Sequence, residues 1–115
     1  MFESRIRRVA LVGPIGSRRV AVHTGGFPLA PDRMLPDADV VVLVAEKEGA
    51  MLFRYTAHGE LCGDTMHSSA AEAEHQAKLE YGDALFPWID APEEVKDVHA
   101  FAIQYAADQL NPRKE

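Results

Sequence analysis

Five side chains that can bind a metal ion or carry out nucleophilic chemistry fall within eighteen positions of the sequence: His58, Cys62, Asp64, His67 and His75. Imidazole, thiolate and carboxylate groups are the ligands that zinc accepts. Their spacing matches none of the usual zinc signatures, and strand alternation places Cys62 and Asp64 on one face with Met66. We therefore predict no metal site, and a site made of His58, Cys62 and His67 is kept as the alternative.

The single cysteine is also a candidate nucleophile. A Cys62 thiolate beside His58 or His67 would form a nucleophile and base pair of a type that recurs in enzymes. No local signature of such an enzyme surrounds it, and an isolated cysteine in a strand is most often a buried apolar residue. The sequence therefore predicts no catalytic residue and no cofactor.

A polar corner follows the last predicted strand. Asp64 can bond to the backbone where the strand ends, and Ser69 can accept from the first free N–H groups of the next helix. In the alternative interpretation, the corner is a site for a small ligand or anion. Asp64, His67, Ser69 and Trp88 would then be its binding residues, with His23 and Phe27 as further candidates.

The second half of the chain combines an aromatic strand, this corner and an alanine-rich helix: Leu52 to His67, then Ala73, Ala77, Glu80–Gly82 and Trp88. The pattern resembles short uncharacterised bacterial proteins with a Gly-Asp-Thr-Trp-His corner, in which tryptophan stands at the position of Met66. That group has no assigned activity. The resemblance therefore implies a strand–corner–helix layout and a bacterial, cytosolic setting, and no catalytic role.

Charge is distributed unevenly along the chain. Residues 1–24 carry five arginines against one glutamate, whereas the remaining residues carry seven bases against seventeen acids. The two parts can attract each other, or they can serve as surfaces for a protein partner or a second copy. The candidate partner-binding residues are all charged: Arg5, Arg7, Arg18, Arg19, Glu72, Glu93 and Glu94. A net charge of −6 disfavours nucleic-acid binding.

Five strands are expected from β-branched and aromatic runs between turn signals, forming two hairpin units: residues 5–12, 18–24, 38–45, 51–55 and 61–66. Residues 38–45 are apolar on both faces, which is typical of a central strand. Gly59 fits a tight hairpin, and Gly63 indicates a bulge or a close backbone approach. Residues 25–36 contain two glycines and three prolines and form a loop whose role is open.

Two helices follow the strands. The first is expected after His67, with Ser69 and Glu72 as a capping box and Gly82 as its end. Residues 83–90 form a connector, and the second helix is expected to open at 90–93 and end before Pro112. The fold class predicted is α+β, with an antiparallel sheet of about five strands packed against two C-terminal helices.

Length and composition predict a single domain over residues 1–115. The longest apolar run, residues 40–45, is far shorter than the roughly twenty residues that cross a bilayer, so no membrane span is expected. One cysteine cannot form an internal disulfide, which favours the reducing cytoplasm. We expect a non-enzymatic protein-interaction module, with a small-ligand or anion-binding protein, or a minor hydrolase, as the alternative.

Overall fold

The computed structural model describes residues 5–13 and 38–110, which form a five-stranded antiparallel sheet and two helices C-terminal to its four longer strands. In chain order the elements are β1 (Ile6–Leu11), β2 (Val40–Glu46), β3 (Gly49–Tyr55), β4 (Leu61–His67), α1 (Ala70–Tyr81), β5 (Ile89–Asp90) and α2 (Val98–Leu110). The strands are arranged in the order β4-β3-β2-β1-β5. The α+β prediction is therefore confirmed.

The central strand is β2, as its sequence predicts. Val41 and Leu43 belong to an apolar cluster on one face of the sheet, and Val40 and Val42 to a cluster on the other. All four are fully buried. A strand covered on both faces needs apolar residues at every position, which explains why residues 40–45 do not alternate.

The two helices cover opposite faces of the sheet, so the described chain has three layers. Ala73 and Ala77 of α1 pack against the cluster that contains Val41, and Ala102 and Ala106 of α2 pack against the cluster that contains Val42. Small side chains on the inner stripe of each helix allow its backbone to approach the sheet closely.

The described strands reproduce four of the five predicted ones, with ends shifted by at most two residues. The predicted strand at 18–24 and the loop at 25–36 lie outside the described residues. The fifth strand observed is Ile89–Asp90, which the sequence assigned to a connector and to the start of a helix. That assignment is wrong because a two-residue strand has no readable periodicity.

Pairing with β1 explains why Ile89–Asp90 is extended. Asp90 lies opposite Arg8, and Ile89 opposite Val9. Farther along, the Phe86 N–H donates to the Leu11 carbonyl. The segment containing β5 thus occupies the side of β1 that faces away from β2.

The start of α2 also differs from the prediction. The helix begins at Val98, and the Asp97 carboxylate accepts hydrogen bonds from the N–H groups of His99 and Ala100. Pro92 instead lies in a separate turn, closed by the Val95 N–H donating to its carbonyl. The acidic Pro-Glu-Glu run resembles a first helical turn, but Asp97 provides the side-chain cap.

Helix α1 has the ends that its sequence predicts. The Ser69 hydroxyl accepts from the Glu72 N–H, and Gly82 caps the other end at φ 57°. Neither α1 nor α2 is long and apolar enough to span a membrane.

Candidate functional site: the exposed edge strand β4

The strand β4 forms one edge of the sheet, and its only strand neighbour among the described residues is β3. Leu61, its first residue, and Met66, its sixth, are 52% and 76% exposed. An edge strand presents a row of backbone N–H and C=O groups that another strand can bind. We call the strand Leu61–His67 and its outward backbone groups the β4 edge.

A β-bulge sets which way the side chains of β4 point. Arg54 lies opposite Gly63, whereas the next residue, Tyr55, lies opposite Leu61, so Cys62 is the extra residue. Gly63 has φ 126°, a conformation that side-chain-bearing residues rarely adopt. The predicted bulge is confirmed. It breaks the expected alternation, because Cys62 is buried whereas Asp64 and Met66 are exposed.

Beyond the bulge, Asp64 and Met66 share the face of the sheet on which α2 lies. They lie opposite Phe53 and Met51, and Phe53 packs against the cluster beneath α2. Helix α2 packs on β1 and β2 and does not cover this end of β4, since Met66 remains exposed. Met51, Met66, Val44 and Glu48 line an open groove here of about 370 Å³, which we call the Met66 groove.

His99 marks where α2 meets β3. Its Nδ1 lies 2.9 Å from the Tyr55 hydroxyl, and its ring meets the ring of Phe53 edge-on at 4.7 Å between centroids. Burial raises the pKa of Tyr55, with further contributions from the nearby carboxylates of Asp97 and Asp64.

The opposite face of β4 is held by a buried ion pair beneath α1. The Arg54 guanidinium donates from Nε and Nη2 to the two carboxylate oxygens of Glu80, each at 2.7 Å. Nη2 also donates to the Thr65 hydroxyl at 3.2 Å, and Gln76 donates to Glu80 at 2.8 Å. These contacts connect β3, β4 and α1. The distribution of charge along the sequence does not predict the Arg54–Glu80 pair, because the two residues lie 26 positions apart.

The predicted ligand site at the corner does not assemble as expected. Thr65 and His67 lie on the α1 side of β4, with the Thr65 hydroxyl 2.7 Å from His67 Nε2, whereas Asp64 lies on the α2 side. The prediction that Asp64 and His67 converge is therefore wrong, because residues three apart on a strand face opposite ways. His23 and Phe27 lie outside the described residues.

The helix N-terminus at the corner is occupied by the chain's own groups. Ser69 caps α1, and the Ser68 N–H donates to Glu72 Oε1 at 2.9 Å. Hydrogen bonds from Ser68, first from its backbone N–H and then from its side chain, lower the pKa of Glu72. The predicted partner residue Glu72 thus completes a capping box.

Trp88 lies in a second groove, between α1 and residues 85–88. This groove has a volume of about 490 Å³, and His75, Lys78 and Phe86 also line it. We call it the Trp88 groove. Asp64, His67 and Ser69 are not among the residues that line it.

The alternative metal site does not form within the described ranges. No group of three or more histidine, cysteine, aspartate or glutamate side chains there can hold an ion. The Cys62 thiol donates to the Glu60 carbonyl at 3.6 Å, and His67 contacts Thr65. Cys62 is buried at the bulge.

The described N-terminal arginines make internal contacts. Arg5 pairs with Glu46 at the surface, and the Arg7 guanidinium donates to the carbonyls of Pro92 and Val95. Arg8, which the sequence did not single out, bridges Glu74 of α1 and Asp90 of β5 at 2.6 and 3.2 Å.

Of the other predicted partner residues, Glu93 and Glu94 are exposed in the turn before α2. Arg18 and Arg19 lie outside the described residues. Arg7 and Arg8 therefore stabilise the packing of residues 90–95, and Arg5 is paired at the surface.

Comparison with known proteins gives no relative: no family model, no curated protein and no solved structure matches the chain.

Proposed function

We propose that this chain is a non-enzymatic protein-interaction module that binds its partner through the β4 edge. The observation that carries the proposal is an edge strand of seven residues with two large apolar side chains more than half exposed. Natural proteins commonly protect such edges with lysine, proline, a β-bulge or a covering element, and of these β4 has the bulge at Cys62. Within β4 there is no lysine or proline.

The Met66 groove adds an apolar surface to the backbone groups of the edge. Strand addition uses both, since main-chain hydrogen bonds give affinity and pockets for alternate side chains give specificity. The face beneath α1 is different, because Arg54 and Glu80 hold it rigidly and leave their own charges satisfied. A rigid strand with an exposed apolar side is suited to binding without large rearrangement.

We include in this proposal a bacterial cytoplasmic setting. The resemblance of residues 52–88 to small bacterial proteins supports it, and so does the presence of a single cysteine, Cys62, which cannot form an internal disulfide and favours a reducing compartment.

Site-specific photo-crosslinking tests the proposal. A photoreactive phenylalanine analogue replaces Met66 in one variant and Leu79 in the other; Leu79 is a matched control because it is 57% exposed on α1. The proposal expects a discrete crosslinked product from position 66 and none from position 79 when the variants are irradiated in the producing cells. Equal products from both positions, or none from position 66, would contradict it.

One observation favours a second candidate, a small-ligand site in the Trp88 groove. Lys78 and His75 lie beside Trp88 there, and the carboxylate of Glu74, which also lines the groove, is paired with Arg8, so the combination suits an aromatic anion. Trp88 is the only tryptophan of the chain, so its fluorescence reports on this groove. Titration with benzoate and with inorganic phosphate should change the emission; unchanged emission with both would remove this candidate.

A further inference from the structure

We infer that the β4 edge accepts an extended, basic and partly apolar segment of another protein rather than a second copy of this chain. The inference rests on the proposed function and names the partner's chemistry. It depends on three features of the edge: its backbone, the position of Asp64, and the acids at its ends.

Self-pairing is opposed by the position of Asp64. This exposed residue is the fourth of the seven residues of β4. Full-length antiparallel pairing of β4 with a second copy would place Asp64 directly opposite its counterpart, and like charges directly opposite each other destabilise a strand pair. A register shift that separates the two carboxylates would sacrifice ladder hydrogen bonds at the ends of a short strand.

The same carboxylate attracts a partner with lysine or arginine at the facing position. Exposed acids continue at both ends of the edge, with Glu60 just before β4 and Glu48 in the wall of the Met66 groove. Glu46 also lines that groove, but Arg5 partly offsets its charge. Charge complementarity of this kind selects a basic partner and speeds its association.

Side-chain alternation specifies the rest of the partner segment. On the α2 side, its residue opposite Met66 should be apolar and fill the Met66 groove, while its residue opposite Asp64 should be basic. On the α1 side, it faces Thr65 and His67 and should carry small polar residues. A designed probe that satisfies both faces is the peptide acetyl-Lys-Thr-Val-Thr-Lys-Thr-Leu-Lys-amide.

The experiment measures binding of this labelled peptide to the full chain by fluorescence anisotropy. We expect binding that weakens as salt increases, and no binding of the same peptide with glutamate in place of lysine. Asp64→Lys should weaken binding about fivefold. Asp83→Lys is the matched control, because it makes the same charge change at an exposed position next to α1, and it should change binding less than about twofold.

Two N-methylated peptides test strand addition. One peptide is methylated on the backbone nitrogens of its first, third, fifth and seventh residues, and the other on those of its second, fourth, sixth and eighth residues. Alternate N–H groups of a strand point to the same side, so only one of the two peptides loses the N–H groups that face β4. Loss of binding with only one of them supports the inference. Equal loss in Asp64→Lys and Asp83→Lys, binding of the acidic peptide, or full binding of both methylated peptides would overturn it.

The inference can fail while the proposed function stands. A crosslink from position 66 to a second copy, or to a partner without such a basic segment, would overturn the basic-strand inference and retain β4 as the binding surface. Failure of peptide binding together with no crosslink from position 66 would refute both.

Discussion

The ion pair between Arg54 and Glu80 should be the most sensitive polar contact of the described fold. Its side chains are only 7% and 11% exposed, and two hydrogen bonds of 2.7 Å join them. Glu80→Gln keeps the shape of the side chain but leaves the Arg54 charge buried without its counter-ion. Such removal of one partner costs about 3–5 kcal/mol, a large part of the roughly 5–15 kcal/mol that stabilises a domain.

The surface pair between Arg5 and Glu46 provides a matched control. Its side chains are 55% and 48% exposed, so Glu46→Gln should cost less than about 1 kcal/mol. Urea denaturation of both variants, followed by the fluorescence of Trp88, gives the two free energies of unfolding.

A double replacement separates the cost of an unpaired charge from the value of the pair. Arg54→Met with Glu80→Met removes both charges, and it should recover a large part of the stability that Glu80→Gln loses, since replacing a buried pair by apolar residues is often neutral. A loss in Glu80→Gln no larger than that in Glu46→Gln would refute the burial argument, and with it the claim that this pair fixes β4 against α1.

Three further outcomes follow from caps and titrating groups. Asp97→Ala should lower the free energy of unfolding in urea by about 1 kcal/mol because it removes the cap of α2, while Glu93→Ala should have little effect. A larger loss in Glu93→Ala than in Asp97→Ala would instead place the start of the helix at the Pro-Glu-Glu run. The pKa of Glu72 lies below its ordinary value of 4.5, so its contribution to stability is present above pH 4.5 and is lost as the pH falls through the lowered pKa. The stability difference between the natural chain and Glu72→Gln should therefore shrink in acid, and a difference that stays constant in unfolding curves down to about pH 3 would contradict this. The pKa of the Tyr55 hydroxyl lies above its ordinary value of 10.0, so the folded state keeps the hydroxyl proton to higher pH than the unfolded state does, and the free energy of unfolding falls as the pH rises past 10. Tyr55→Phe should reduce this alkaline loss of stability. The same alkaline loss in the variant and the natural chain would count against burial of the hydroxyl.

Local signals in the sequence predicted the elements whose cause is local. Ser69, Glu72 and Gly82 determine the ends of α1 through contacts within a few residues, and Gly63 marks the bulge because it alone tolerates the required φ. The central strand was equally readable, since burial on both faces requires an uninterrupted apolar run.

Elements that depend on distant partners were not predicted. The strand β5 exists because Ile89 pairs with Val9 and Asp90 pairs with Arg8, 80 and 82 positions earlier, and two residues give no pattern of their own. The Arg54–Glu80 pair was not predicted for the same reason, since its two residues are distant in the sequence. For the candidate site, the sequence contained Met66 and Asp64, but their joint exposure on an edge depends on the strand order and on the bulge.

Hydrogen exchange of the backbone amides in β4 and β2 tests the central claim most directly. The strand β2 is paired on both sides and should protect nearly all its amides, whereas alternate amides of β4 face outward and should exchange much faster at every protein concentration. Protection of all β4 amides to the level of β2 in dilute solution would show that the chain itself covers this edge, and would contradict its assignment as the partner-binding surface.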